Sequence, residues 1–144
     1  VKLHILAVGR IGQGPEAALV ERYRARCPWP MSVTELPDTR PAAPAPAPHS
    51  RTVVLDETGR PLTSRQLSVV LTGWRDEGVR EARFLIGGAD GHSAAVRAGA
   101  DLLLSFGAAT WPHLLVRAML AEQLYRAVSI STNHPYHRDG SKDV

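Results

Sequence analysis

The chain carries one cysteine, Cys27, which excludes an internal disulfide and any thiolate-rich metal site. A reducing cytoplasm is the simplest home for such a chain. Lysine is nearly absent: Lys2 and Lys142 are the only two, so the net charge of +3 is carried by arginine. That excess permits a polyanionic partner without requiring one. No apolar run approaches the roughly 20 residues that a bilayer-spanning helix needs, so no membrane partner is expected. The opening VKLHILAVG is too short for a secretory leader with its cleavage site and reads as a first strand. What is present is 144 residues with 44% hydrophobic content, enough for one core and expected to form a single domain over residues 1–144.

Short β-rich runs fall at residues 2–8, 32–36, 52–56, 83–87 and 102–106. Blocks such as VVL and FLI are continuous rather than alternating, which suits strands buried on both faces of a parallel sheet. Helical signals lie between most of them. Pro15 opens PEAALVERYRARC, with Leu19, Tyr23 and Cys27 on one face. Thr63 to Gln66 fits a capping box before Leu67, Val70, Leu71 and Trp74, and Gly78 stops that helix. Ser93 can cap a further helix. Pro112 opens HLLVRAMLAEQLYRAV, which is apolar over more than half its circumference. So wide a face predicts burial in a core and at a subunit interface, with Glu122 and Arg126 pairing at i,i+4. Alternating strands and helices predict an α/β fold: an open, mostly parallel sheet with helices on both faces. Residues 38–51, DTRPAAPAPAPHSR, break the alternation. Their prolines forbid a helix, so they read as an extended connection that can cross the sheet where a helix would otherwise lie.

Four stretches can carry chemistry. LIGGADGHS, residues 85–93, puts glycines at a strand's carboxyl end, where ligands of open α/β sheets collect; a tight turn needing positive φ explains it as well. AVGRIGQGPE, residues 7–16, lacks the Lys-Ser/Thr of a phosphate-binding loop and reads as an ordinary loop before a Pro-opened helix. SFGAATWPHLLVR, residues 105–117, places small residues at another strand-to-helix junction, where Trp111 and His113 could stack or hydrogen-bond; plain connection chemistry is the competing account. SISTNHPYHRDG, residues 129–140, crowds Asn133, His134, Tyr136, His137 and Arg138 around Pro135. A metal clip there would need His113 as a third ligand and has no thiolate, so no metal is expected. A nucleic-acid contact would use Arg138 on phosphate, Tyr136 or a histidine on a base face and Asn133 on a base edge. A polar tail of no consequence fits equally well.

Taken together, KLHILAVGR, VVLDETG, FLIGGADGHS and AATWPHLLVRAMLAEQLYRAVSISTNHPYHR, in that order, resemble the ribosomal RNA large subunit methyltransferase H family. These are the 23S rRNA pseudouridine N3-methyltransferases of the SPOUT superfamily. The resemblance covers the chain except residues 38–51, where the family has a helix, and Trp111 stands at a usual leucine. It implies a sheet whose C-terminal segment is threaded into a trefoil knot, an S-adenosylmethionine pocket in that knot, a cytoplasmic homodimer with the active site at its interface, and 23S rRNA or the ribosome as partner. Carried onto matching positions, cofactor contacts fall on Leu55, Gly88, Gly107, Ala108, Ala109, Thr110, Trp111 and Pro112. The catalytic, RNA-facing residues fall on Tyr136, His137 and Arg138, reaching the partner subunit's cofactor.

The reaction so implied moves a methyl group from a sulfonium to the ring N3 of a pseudouridine. That nitrogen carries a proton, which must leave before or during attack. His137 is the first candidate to take it, and Arg138 the candidate to hold phosphate or the developing anion. Two rivals stay open: a non-catalytic RNA-binding or ribosome-assembly module on the same fold, and a metallohydrolase using His113, His134 and His137.

Overall fold

The computed structural model describes residues 1–37, 44–88, 91–133 and 136–137. Five strands form one sheet: β1 (Lys2–Val8), β2 (Met31–Leu36), β3 (Ser50–Pro61), β4 (Glu81–Ile86) and β5 (Leu102–Ser105), in the order β2-β1-β4-β3-β5. Every pairing between them is parallel. The continuous apolar runs are the central strands. Leu3, Ile5, Ala7, Val53, Ala82 and Phe84 are wholly buried on one sheet face, and Leu6, Val54 and Leu85 are buried on the other. β2, at the edge, is mostly half-buried or exposed.

Helices α1 (Pro15–Arg26), α2 (Ser64–Asp76) and α4 (His113–Ser131) cover the first face. The expected starts and stops hold. Thr63 and Gln66 form the capping box, Gly78 ends α2 at φ +86°, and Ser93 accepts from the Val96 N–H to cap α3 (Ala94–Ala98). α4 is the keystone of this layer. Leu120, Leu124, Ala121 and Ala127 are fully buried, and each such leucine contributes roughly 1.5–3 kcal/mol. Among its residues none is fully exposed, in line with the wide apolar face read from the sequence.

The second face is covered more thinly. α3 lays Val96 on the cluster of Leu6, Val54 and Leu85, with Ala100 just beyond its end. Residues 44–49, which lead into β3, include a stretch on this side. Its Pro44 carbonyl accepts from the guanidinium of the buried Arg83, which also donates to Thr52 (3.1 Å). Residues 38–43 of the proline-rich stretch lie outside the described residues.

β3 is longer than its apolar core predicts. Leu55 pairs with Leu104, and then Arg60 pairs with the same Leu104. Residues 56–59 therefore leave the ladder and return to it. Gly59 makes the return possible, since a Cβ there would sit 2.7 Å from the Leu103 backbone carbonyl. The sequence shows DETG only as a strand end; the excursion comes from pairing with β5, a long-range event.

Candidate functional site at the carboxyl ends of β3, β4 and β5

Three neighbouring strands end beside one another, and the segments that follow them enclose a cavity of about 340 Å³. Its apolar lining is Leu55, Ile86, Leu104, Phe106 and Val116. Its polar lining is Asp56, Glu57, His92, Arg97, Thr110 and His113, with backbone from Gly87, Gly88, Gly91 and Gly107. A cleft of this size, with apolar walls and several convergent polar groups, falls within the range of small-molecule sites.

The glycines have distinct reasons to be there. Gly91 turns the chain at φ +71°, and its N–H donates to the Gly88 carbonyl (2.9 Å). Gly87 and Gly88 do not have positive φ; they are small because of close approach. A Cβ on Gly87 would lie 2.8 Å from the Gly91 backbone, and one on Gly88 would lie 3.2 Å from Val8 Cγ1. Gly91 supplies the positive-φ turn expected of LIGGADGHS, and Gly87 and Gly88 are held small by neighbouring protein atoms; Ala89 and Asp90 lie outside the described residues. Gly107, at φ +110°, turns the chain out of β5, and its N–H donates to the Ser105 hydroxyl (3.0 Å).

The β3 excursion forms one wall. The Thr58 hydroxyl donates to Asp56 (3.0 Å), and Arg97 pairs with Asp56 at 3.6 Å. Burial pushes the Asp56 carboxyl up, but the Thr58 hydrogen bonds and Arg97 outweigh it and hold Asp56 below the usual range. Thr110 donates to Glu57 (3.1 Å), tying the excursion to the segment after β5. His92 is pushed towards the neutral form by burial, although its hydrogen bond to the Leu85 carbonyl and the charge of Asp56 oppose this.

Of the residues expected to bind a cofactor, Leu55, Gly88, Gly107, Ala109, Thr110 and Trp111 line this cavity. Ala108 and Pro112 belong to the same segment but are exposed and off its lining. Trp111 stands at the rim, 42% exposed, its indole N–H donating to the Phe106 carbonyl (3.4 Å). Asp56, Glu57, His92, Arg97 and the lining role of Val116 were not legible beforehand. The DETG string hinted at the first two, but only the register shift turns them inward.

The tail residues lie elsewhere. Tyr136 packs against Tyr125 in a tilted pair with centroids 4.5 Å apart, and Tyr125 in turn meets Tyr23 of α1 at 5.8 Å. The Tyr136 hydroxyl donates to Glu122 (3.2 Å), and Arg126 sits over the ring at 4.9 Å. Arg126 pairs with Glu122 as expected (Nε to Oε1, 2.7 Å) and donates to His137 Nδ1 (3.1 Å). Burial, then Tyr23 and Glu122, push the Tyr136 phenol well above its ordinary range, so it remains a donor. Asn133 adopts φ +57° just past the end of α4. Arg138 and His134 lie outside the described residues. Glu122 is nine residues from His113 along α4, about 14 Å at the helical rise, and Tyr136 and His137, which pack beside it, are not part of the cavity lining. Among the described residues, no group of three or more histidine, cysteine or carboxylate side chains could hold a metal ion. No helix among them is long and apolar enough to cross a membrane.

Three comparisons bear on this geometry. A family model described as predicted SPOUT methyltransferase matches residues 1–137. The ribosomal RNA large subunit methyltransferase H of Novosphingobium aromaticivorans is 60% identical over 139 residues, covering 96% of this chain and 99% of that protein. The protein of the same name from Zymomonas mobilis is 55% identical over 142 residues, covering 97% of this chain and all (100%) of that one. Among solved structures, the SpoU methyltransferase AviRb from Streptomyces viridochromogenes, in complex with the cofactor AdoMet, superposes with a TM-score of 0.51 at 15% identity. The match covers 92% of this chain and 61% of that one, and at this identity it shows the shared fold.

Proposed function

We propose that this chain, which belongs to the SPOUT methyltransferase family, is an S-adenosylmethionine-dependent methyltransferase acting on the N3 of a pseudouridine in large-subunit 23S ribosomal RNA. The observation that carries the reading is the cavity in which Leu55, Gly88 and the segment from Gly107 to Trp111 converge at adjacent strand ends. Its residues fit the cofactor. Leu55, Ile86, Leu104 and Phe106 offer apolar walls for a flat ring, Gly87, Gly88, Gly91 and Gly107 bring backbone to the lining, and charged groups stand beside them. When bound, S-adenosylmethionine supplies a methyl group on a positively charged sulfur.

The chain's own work is to orient, exclude water and manage one proton. The apolar walls keep water from the reacting centre, and the strand ends hold both reactants in line, which accounts for much of the rate. Removing the N3 proton builds negative charge on the ring oxygens. His137 accepts from Arg126 at Nδ1, so its neutral ring carries the proton on Nε2. We assign the N3 proton to His137 Nδ1, which Arg126 must first release; the proton leaves the ring nitrogen as the methyl arrives and ends on the imidazole. Tyr136, held as a phenol, anchors the tail on Glu122, and Arg138 is assigned to phosphate or the ring anion.

We assign these tail residues to the cavity of a second copy, in a homodimer. Two observations support this: the distance along α4, and an apolar groove of about 630 Å³ lined by Leu19, Leu62, Leu67, Leu115 and Met119. We further read residues 1–144 as one domain, the C-terminal segment as threaded in the family's knot, and the cytoplasm as the compartment. Burial raises the Cys27 thiol, which suits an inert core cysteine there.

The test is methyl transfer from labelled cofactor to 23S rRNA and to assembled large subunits, with nucleoside mass spectrometry of the product. His137→Ala and Arg138→Ala are expected to bind cofactor and to lose turnover by roughly 10²–10⁴-fold. A wild-type protein with no calorimetric affinity for S-adenosylmethionine would point to a non-catalytic module. Normal turnover in both variants would remove the tail from the chemistry.

A further inference from the structure

Among the described residues Arg117 is the largest wholly buried side chain, 1% exposed in the second turn of α4. A leucine or methionine would fill that space without the cost of desolvating a charge. Its contacts show what the charge does. Nη1 donates to Glu35 Oε2 (2.6 Å) at the end of β2. Nη2 faces the carbonyls of Val8 (3.4 Å) and Gly9 (3.1 Å) at the end of β1. Nε has no partner among the described residues. Glu35 Oε2 also accepts from the Ile11 N–H (2.8 Å), so one carboxylate holds both the arginine and the loop after β1. That loop turns at Gly9 (φ +90°), whose N–H still donates to the Leu36 carbonyl (2.8 Å).

Both ends of this network adjoin residues that line the cavity. Val8, whose carbonyl Arg117 binds, is the residue against which Gly88 packs; a Cβ on Gly88 would be 3.2 Å from Val8 Cγ1. Val116, the neighbour of Arg117, and His113, one turn before it, are cavity lining. The guanidinium therefore ties the strand end beneath the glycine turn to the helix that forms the opposite wall. We propose that Arg117, with Glu35 as its counter-charge, is a positioning residue that sets the separation between the glycine turn and the start of α4, and with it the shape of the cavity. Arg117 touches neither reactant. Its effect on cofactor affinity rests on the functional reading above; the mechanical coupling does not.

The experiment pairs amide exchange with calorimetry on Arg117→Met, using Leu124→Ala as a control for lost stability. Leu124 is also fully buried on α4, two turns further from the cavity. The Gly9 and Gly91 amides, bonded to Leu36 and Gly88, are the reporters. In Arg117→Met both amides are expected to lose protection, and affinity for S-adenosylmethionine to fall roughly tenfold or more. In Leu124→Ala both reporters should track global stability, with affinity within about twofold of wild type. If Arg117→Met does not fold, Arg117→Lys carries the same test, because a point charge cannot serve two carbonyls and a carboxylate at once. Wild-type protection at Gly91 in a folded Arg117 variant overturns the proposal. A wild-type protein that binds no cofactor defeats the functional reading instead, and the exchange data still decide the coupling.

Discussion

At the scale of single residues, the most informative side chains are polar groups whose surroundings were assembled from distant parts of the chain. Glu35 is one. The Ile11 N–H and then Arg117 hold its carboxyl below the usual carboxylate range, against the opposing effect of burial. A carboxyl lowered in the folded state adds stability above its unfolded value near 4.3 and loses it as pH falls through the folded value. The urea midpoint should therefore fall on acidification from about pH 6 to pH 3, and the gap between wild type and Glu35→Gln should close over that range. A gap that stays constant would mean that Glu35 carries no linked charge. Its side chain is 39% exposed, so solvent screening limits the size of the effect.

At the scale of elements, local sequence decided where helices begin, and tertiary contact decided how strands end. The Thr63 hydroxyl accepts from the Gln66 N–H (3.1 Å), and the Gln66 side chain accepts from the Thr63 N–H (2.8 Å). Thr63→Ala removes half of that exchange and should cost about 1 kcal/mol, read from urea denaturation with an unchanged m-value. Because Thr63 and Ser64 also border the apolar groove, the same variant reports whether the start of α2 matters for association. β3 shows the opposite case. Nothing local in DETGRP announces a strand that leaves its ladder and rejoins it; the return depends on Gly59 fitting against the Leu103 backbone.

At the scale of the whole molecule, the cavity and the Tyr136 and His137 side chains sit at separate places along α4. In a symmetric dimer each cavity would be completed by the other copy's tail. Mixing and re-equilibrating two inactive proteins tests this: Gly88→Val, which crowds the cavity against Val8, and His137→Ala, which damages the tail. Half of the dimers would be mixed, each with one intact site, so about a quarter of wild-type methyl transfer should return. No recovery from a mixture shown to contain mixed dimers would place tail and cavity in the same chain.

Read by itself, the sequence determined the strand and helix alternation, the central buried strands, the capping box at Thr63 and the wide apolar face of α4. These are legible because they follow from residues close in sequence: apolar period, turn chemistry and caps. The tertiary structure alone decided which strand ends became neighbours, and so which glycines needed a left-handed turn and which needed room. It also decided that Asp56 and Glu57 face the cavity, and that Arg117 is core where the sequence shows a charge interrupting an apolar face. Each of those outcomes depends on partners dozens of residues away: Leu104 for the β3 excursion, and Glu35 for Arg117. A buried charge is set by what surrounds it in space, and local sequence carries no record of that.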